Sequence, residues 1–151
     1  MPKSLEPQSL DHLLAQVCRL HHARLHELLS PIGLFRGQPL VLEALWEKDG
    51  LTHNDLAGQL HVTPATMSRT IKRMACAGLV ITRRDAEDMR VSRVFLTDGG
   101  RNVRTALTMA FKTSEEDTFA DFTLEERVLL RRFLMQVRGN LIHVVGEKPL
   151  L

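Results

Sequence analysis

Residues Leu51–Gly99 read LTHNDLAGQLHVTPATMSRTIKRMACAGLVITRRDAEDMRVSRVFLTDG. Thr52-His53-Asn54-Asp55 has the form of a capping box with Asp in the place of Glu, opening a short helix through Leu56, Ala57 and Leu60. His61-Val62 is a turn. Thr63 then caps a second helix with Pro64 at its first position. That helix turns Met67, Ile71 and Met74 to one side and ends at Gly78. Leu79–Thr82 and Arg93–Leu96 are short β-prone runs. The polar arm Arg83–Ser92 joins them, and its tip carries Asp88-Met89-Arg90. Two short capped helices, a turn between them and a charged hairpin after them are the order of a winged helix-turn-helix. The partner this predicts is double-stranded DNA.

Working outward, Ser9 caps a long helix whose apolar residues Leu10, Leu13, Leu14, Val17, Leu20, Leu25 and Leu28 recur at helical spacing. Ser30-Pro31 ends it. A second helix starts near Pro39, carries Leu42, Leu45 and Trp46, and stops at Gly50. Past the hairpin, Thr97 caps a fifth helix with Val103, Ala106, Leu107, Ala110 and Phe111 on one face. Thr123-Leu124-Glu125-Glu126 is a full capping box for a sixth helix carrying Leu130, Phe133, Leu134, Val137 and Leu141. Residues 1–8 hold two prolines and are expected to be loose. The expected fold is mainly α, in the order ααααββαα. It forms one domain over 1–151, with a DNA-binding lobe at 36–97 and dimerisation helices at 9–30 and 98–145. Helices one, five and six have apolar stripes too long for the small lobe to cover, and a two-fold partner covers them most economically.

The charge is unevenly spread. Residues 61–104 hold nine Lys/Arg and four Asp/Glu, a net +5, against 11 and 14, a net −3, elsewhere. A basic middle in an acidic frame is the footprint of a local polyanion-binding face. Cys18 and Cys76 lie far apart and outside any Cys-x-x-Cys pattern, which argues against a zinc ribbon or a disulfide scaffold. No apolar run approaches the roughly 20 residues of a membrane span, and the N-terminus lacks the apolar core of a signal peptide. The expected setting is the cytoplasm, with no membrane partner. No Ser/His/Asp order, glycine-rich phosphate loop or carboxylate pair points to an enzyme. No cofactor or metal is predicted.

The first turn of a recognition helix needs small or polar residues so that it can enter the major groove. Here it offers Thr63, Ala65, Thr66 and Ser68, followed on the exposed side by Arg69, Lys72 and Arg73. In the arm, Arg83, Arg84, Arg90 and Arg93 fall within about ten residues with no apolar tip, so the arm is not core. An arginine at the tip suits the enhanced negative potential of a narrow minor groove. Asp88, beside it, is expected to orient a wing arginine. Lys72, Arg73 and the wing arginines are assigned to phosphates; Thr63, Thr66, Ser68 and Arg69 are assigned to base edges.

These residues resemble the MarR family of bacterial transcriptional regulators. The matching positions are Leu51-Thr52, Asp55-Leu56-Ala57, Leu60, Val62, Ser68-Arg69, Gly78-Leu79-Val80 and Arg83. The wing pattern of Asp-x-Arg, five residues, then Leu-Thr is met by Asp88, Arg90, Leu96 and Thr97, with Gly99 after it. The resemblance implies a homodimer whose first and last helices intertwine, each protomer presenting one wing. The recognition helices would then lie roughly 34 Å apart on a pseudo-palindrome. It also implies a repressor released by a small anionic aromatic effector, an oxidant or a metal.

Three sensing chemistries follow. Peroxide-sensing members keep a reactive cysteine in the first helix. Counting back from Leu45-Trp46-Glu47 puts that position nearer Asp11 than Cys18, and this chain has no tyrosine to support a thiolate. His22 and His26 are spaced i, i+4, which suits zinc. They fall on the polar face of helix one, have Ala23 where a His-Glu-x-x-His metalloprotease carries its glutamate base, and do not match zinc-sensing members, whose His-x-x-x-His pair lies in helix five. His21 and Arg24 fall inside the apolar stripe of helix one. A charge there needs a partner: an acid across the dimer, or the carboxylate or phenolate of an effector.

Overall fold

A computed structural model describes residues 9–146; the sequence reading of residues 1–8 lies outside them. The elements run α1 (Leu10–Leu29), a 3-10 turn (Ser30–Ile32), α2 (Gln38–Glu47), β1 (Leu51–Thr52), α3 (His53–Gln59), α4 (Pro64–Cys76), β2 (Val80–Arg84), β3 (Ser92–Leu96), α5 (Asp98–Asn102), α6 (Arg104–Thr118) and α7 (Leu124–Val145). The chain is mainly helical, with one small antiparallel sheet ordered β1-β3-β2.

The caps legible in the sequence are the caps that form. Ser9, Thr52, Thr63, Thr97 and Thr123 each accept a hydrogen bond from a backbone N–H in the first turn of the following helix. Thr52–Asp55 and Thr123–Glu126 are complete capping boxes, each side chain reaching the other's backbone. The Asp55 carboxyl sits below its ordinary pKa because the Thr52 hydroxyl and backbone N–H hold it.

Two elements differ from the sequence reading. The segment ahead of α3 is a short strand, with Leu51 opposite Val94 and Thr52 opposite Arg93. Two residues carry no alternation, so the sequence does not announce a strand there. The expected fifth helix is broken at Val103 into α5 and α6. At that break the Trp46 indole N–H donates to the Gly100 carbonyl at 3.0 Å, tying the turn to α2. Gly100 itself is buried, and a Cβ there would collide with the Leu79 carbonyl. Glycine lets α5 sit on the start of β2.

One continuous core joins the winged lobe to the long helices. Leu34, Leu42, Leu45, Leu56, Met67, Ile71 and Met74 are almost fully enclosed, and Leu29, Leu107 and Ala110 join them from α1 and α6. The outer part of α1 and all of α7 behave differently. None of the 22 residues of α7, about 33 Å of helix, is buried. Leu10, Leu13, Val17 and Leu20 on α1, and Val128, Phe133, Leu134, Val137 and Leu141 on α7, remain exposed. Arg127 is what ties α7 back within the chain, donating to the Phe119 carbonyl at 3.0 Å.

Candidate nucleic-acid interface

The helix-turn-helix is built from α3 and α4. Its turn uses His61 in the left-handed region, φ 51°, where a non-glycine residue is uncommon. Thr63 then starts α4. Its hydroxyl accepts from the Thr66 N–H at 3.1 Å and donates to the Thr66 hydroxyl at 2.9 Å. The Arg69 guanidinium donates to that same Thr66 hydroxyl at 3.4 Å. The first turn is thereby ordered before any partner arrives.

α4 divides cleanly by face. Met67, Ile71 and Met74 are buried. Thr63, Ala65, Ser68, Arg69, Lys72 and Arg73 are exposed, and Thr66 is half-buried. Ala65, Ser68, Arg69 and Lys72 fall at positions i, i+3, i+4 and i+7, which is one helical stripe, and Arg73 lies beside it. Its first turn is small and polar and its later turns are basic. That suits a helix entering a groove with its N-terminal end against base edges and its flank against phosphates.

The wing is a β2–β3 hairpin in which only Val80, Val94 and Leu96 are buried. Every wing arginine is held in place. Arg84 donates to the Met89 carbonyl at 2.7 Å. The Arg83 guanidinium lies over the Phe95 ring, 5.5 Å from its centroid. At the tip, the Asp88 carboxylate accepts from the Arg90 side chain and from the Arg90 backbone N–H, at 3.1 and 3.0 Å. This is the acid–arginine pairing the sequence leads one to expect. It lowers the Asp88 pKa, chiefly through Arg90. The Arg90 side chain is nonetheless 91% exposed, so its fork is aimed without being covered.

Arg93 has a different environment. Its Nε donates to Asp85 at 2.6 Å and its Nη1 to the Gly50 carbonyl at 2.9 Å. Asp85 also accepts from the Glu87 and Asp88 N–H groups. Arg93 holds its carboxyl well below the usual range, with these two amides adding to the effect. Sequence reasoning placed Arg93 with the DNA-facing arginines, did not pair it with Asp85, and missed Asp49. Asp49 Oδ1 accepts from the Gly50 and Leu96 N–H groups at 3.1 and 2.9 Å. Its Oδ2 lies 3.5 Å from Arg101. The only sequence signal for Asp49 is its place just before a turn glycine.

On α1, Arg24 is partnered within the chain. It meets Asp117 of α6 at 2.7 Å and Glu27 at 3.2 Å. The contact with Asp117, then that with Glu27, raises its pKa. Neither an acid across a dimer nor an effector is needed to pair its charge. α1 and α6 pack side by side, so a residue 93 positions away supplies the carboxylate. His21, His22 and His26 are exposed, and the His26 ring is tilted 6.3 Å from Phe35. Cys18 and Cys76 are exposed free thiols. Among the described residues, no three His, Cys, Asp or Glu side chains converge as a metal site, and no helix is long and apolar enough to cross a membrane.

Residues 35–92 match the model of the MarR family. The HTH-type transcriptional regulator TtmR of Methylorubrum extorquens is 33% identical over 152 aligned residues, covering 96% of this chain and 75% of the relative. The chain belongs to the MarR family. It is a transcriptional regulator, and both its relatives and its fold are those of regulators, not enzymes. The MarR fold extends well beyond the matched segment. The Streptomyces coelicolor regulator PcaV superposes with a TM-score of 0.79 at 22% identity, covering 86% of this chain and 95% of that one. BpsR of Bordetella bronchiseptica, whose DNA binding is regulated by 6-hydroxynicotinic acid, superposes with a TM-score of 0.74 at 24% identity, covering 87% and 94%. At these identities the superpositions speak for the fold alone.

Proposed function

We propose that this MarR-family regulator is a cytoplasmic homodimeric repressor that grips a pseudo-palindromic operator and is released by a small anionic aromatic compound. The observation that carries the DNA half is the two-faced α4, with Met67, Ile71 and Met74 buried and Ala65, Ser68, Arg69, Lys72 and Arg73 exposed. Thr63, Thr66, Ser68 and Arg69 read base edges. Lys72, Arg73, Arg83 and Arg84 neutralise phosphates, and the clamped Arg90 enters the minor groove. The dimer is supported by α7, which exposes Phe133, Leu134, Val137 and Leu141 along one stripe and has no buried residue among the described residues.

The effector's acid group is assigned to the α1–α6 junction, near His21 and Arg24. The precedent is BpsR, which answers to a hydroxylated aromatic acid. Arg24 already holds two carboxylates. An aromatic acid therefore binds there by taking the place of Asp117, which loosens α6 from α1.

Footprinting on DNA upstream of the protein's own gene tests the operator half. A protected pair of half-sites about one helical turn apart is expected, and protection without two-fold spacing would overturn it. Thermal shift against aromatic acids tests the effector half. Wild type gains stability and Arg24→Ala does not; equal shifts in both remove Arg24 from the site.

A further inference from the structure

β2 and β3 pair with Arg83 directly opposite Arg93. Two like charges facing each other across an antiparallel ladder repel and weaken it. Here both are drawn off the pair along the same face. Arg83 leans towards Phe95, two residues beyond Arg93. Arg93 leans the other way, to Asp85, two residues beyond Arg83. The four side chains interleave diagonally, which is within reach for long residues on one face of a sheet. The second arm of the Arg93 fork reaches the Gly50 carbonyl, in the turn between α2 and β1. Gly50 is itself fixed. Its φ is +76°, its N–H donates to the Val94 carbonyl at 3.0 Å, and a Cβ there would press on the Phe95 ring at 2.9 Å.

We propose that Arg93 is a positioning residue rather than a DNA contact: bridging Asp85 and the Gly50 carbonyl, it fixes the wing to the body of the winged lobe and so aims Arg90 at the DNA. The inference rests on the DNA-binding reading of the wing and refines it, separating one of the four wing arginines from the others. The geometry supports the separation. The Arg93 side chain is 42% exposed and its partner Asp85 only 16%, whereas Arg90 is 91% exposed. Asp85 neutralises the charge of Arg93 and, through the Glu87 and Asp88 amides, shapes the loop that carries the Asp88–Arg90 tip. Lysine cannot replace Arg93 in this role. An ammonium is a point charge on a flexible stem, without the rigid fork that joins two fixed acceptors.

The test compares wild type, Arg93→Lys, Arg93→Ala, Asp85→Asn and the Asp85→Asn/Arg93→Ala double variant. The probe is a labelled duplex carrying the site that wild type selects from a random pool, titrated from 50 to 300 mM KCl. Positioning predicts that Arg93→Lys binds at least tenfold more weakly than wild type, as weakly as Arg93→Ala. It predicts that the double variant is no weaker than the weaker single one. It also predicts that the slope of log affinity against log salt stays that of wild type, because no phosphate contact is lost. Wild-type affinity in Arg93→Lys, together with a slope reduced by about 2 per dimer in Arg93→Ala, would overturn the proposal and make Arg93 a phosphate contact. Amide exchange in the DNA-free protein tests the clamp separately. Arg93→Ala and Arg93→Lys accelerate exchange at Glu87 and Asp88, and unchanged exchange in both refutes it. If wild type selects no DNA site, the DNA-binding reading fails while the exchange experiment still decides the clamp.

Discussion

Arg90→Ala removes the oriented, open arginine at the wing tip. Its side chain is 91% exposed and touches only Asp88, so folding loses almost nothing. The melting midpoint is expected to move by less than about 2 °C at fixed protomer concentration. Binding loses one contact per wing, which is two in a dimer. Each cation that displaces a counterion from the duplex, in the minor groove as at a phosphate, contributes about 0.9 to the salt slope, so the slope falls by about 1.8. Between 50 and 200 mM salt that difference amounts to about 12-fold. The variant's handicap is therefore largest at low salt and shrinks about 12-fold across this range. Fluorescence anisotropy with the operator duplex at four salt concentrations reads the slope directly. Asp88→Ala is the informative companion. It leaves the Arg90 charge in place but frees the side chain, so affinity falls while the slope holds. Wild-type affinity for Arg90→Ala at matched salt would refute the assignment of the wing tip to DNA. A parallel loss at all salt concentrations would show that Arg90 acts on wing shape and not as a charge in the groove.

Asp49→Ala leaves the N–H of the buried Leu96 without its acceptor, a cost of about 1–3 kcal/mol. At about 2–4 °C per kcal/mol for a chain of this size, calorimetry should show a clear drop, whereas Asp49→Asn keeps an acceptor oxygen and falls by less; equal midpoints for the two variants would refute a stabilising role for the Asp49–Leu96 hydrogen bond. Leu141→Glu charges a residue of α7 that is 54% exposed and lies outside the core cluster of the described residues. Sedimentation should find a folded monomer that has lost operator affinity, and an intact dimer at micromolar concentration would contradict the assignment of α7 to the interface. Asp85 and Asp88 both sit below the ordinary carboxylate range. Their support of the wing is present in full above the unfolded value near 3.9 and is lost only as pH falls through the lower folded values. NMR shifts of the Glu87 and Asp88 amides should stay flat from pH 8 to 5 and move in stronger acid; a transition between pH 5 and 6 would place the control in another group.

The parts of the fold that were legible in the sequence are those with a local physical cause. A capping threonine acts three residues away, and all four predicted threonine caps form. The burial of Met67, Ile71 and Met74 follows from helical spacing alone. The Asp88–Arg90 pair is legible for the same reason, since its members are two residues apart. What the sequence hid depends on tertiary contact. β1 is two residues long and exists because β3 passes beside it. The break before α6 falls where Trp46 reaches Gly100 across 54 positions. For Arg24 the sequence suggests an acid across the dimer or an effector, whereas Asp117 comes from a helix of the same chain whose packing no periodicity specifies. Arg93 looked like its neighbours because composition counts charges and does not say which ones are already neutralised.

The wing's dependence on polar ties explains why its geometry is open to control. Val80 is the one buried residue of β2, and β3 adds Val94 and Leu96. Apolar burial thus anchors the hairpin at its root and leaves its outer half without such support. The angle of the outer half rests on Arg93 at Gly50 and on Asp85 at the loop. The same turn carries Asp49, which holds Leu96 and Arg101, and one turn earlier Trp46 holds Gly100 while Arg104 stacks over its ring, 5.3 Å from the centroid. These contacts form a connected series from the start of α6 to the wing. Individual hydrogen bonds of this kind contribute on the order of 1 kcal/mol, comparable to the coupling energies of allosteric proteins. A shift of α6 against α1, such as the proposed displacement of Asp117 from Arg24 would produce, therefore has a physical route to the wing. Its signature is specific: Asp49→Ala should weaken the effect of effector on operator affinity, while Arg90→Ala should weaken operator affinity and leave the effector's fold-change intact. If both variants respond to effector as wild type does, the two halves of the molecule communicate through the recognition-helix spacing of the dimer and not through this series.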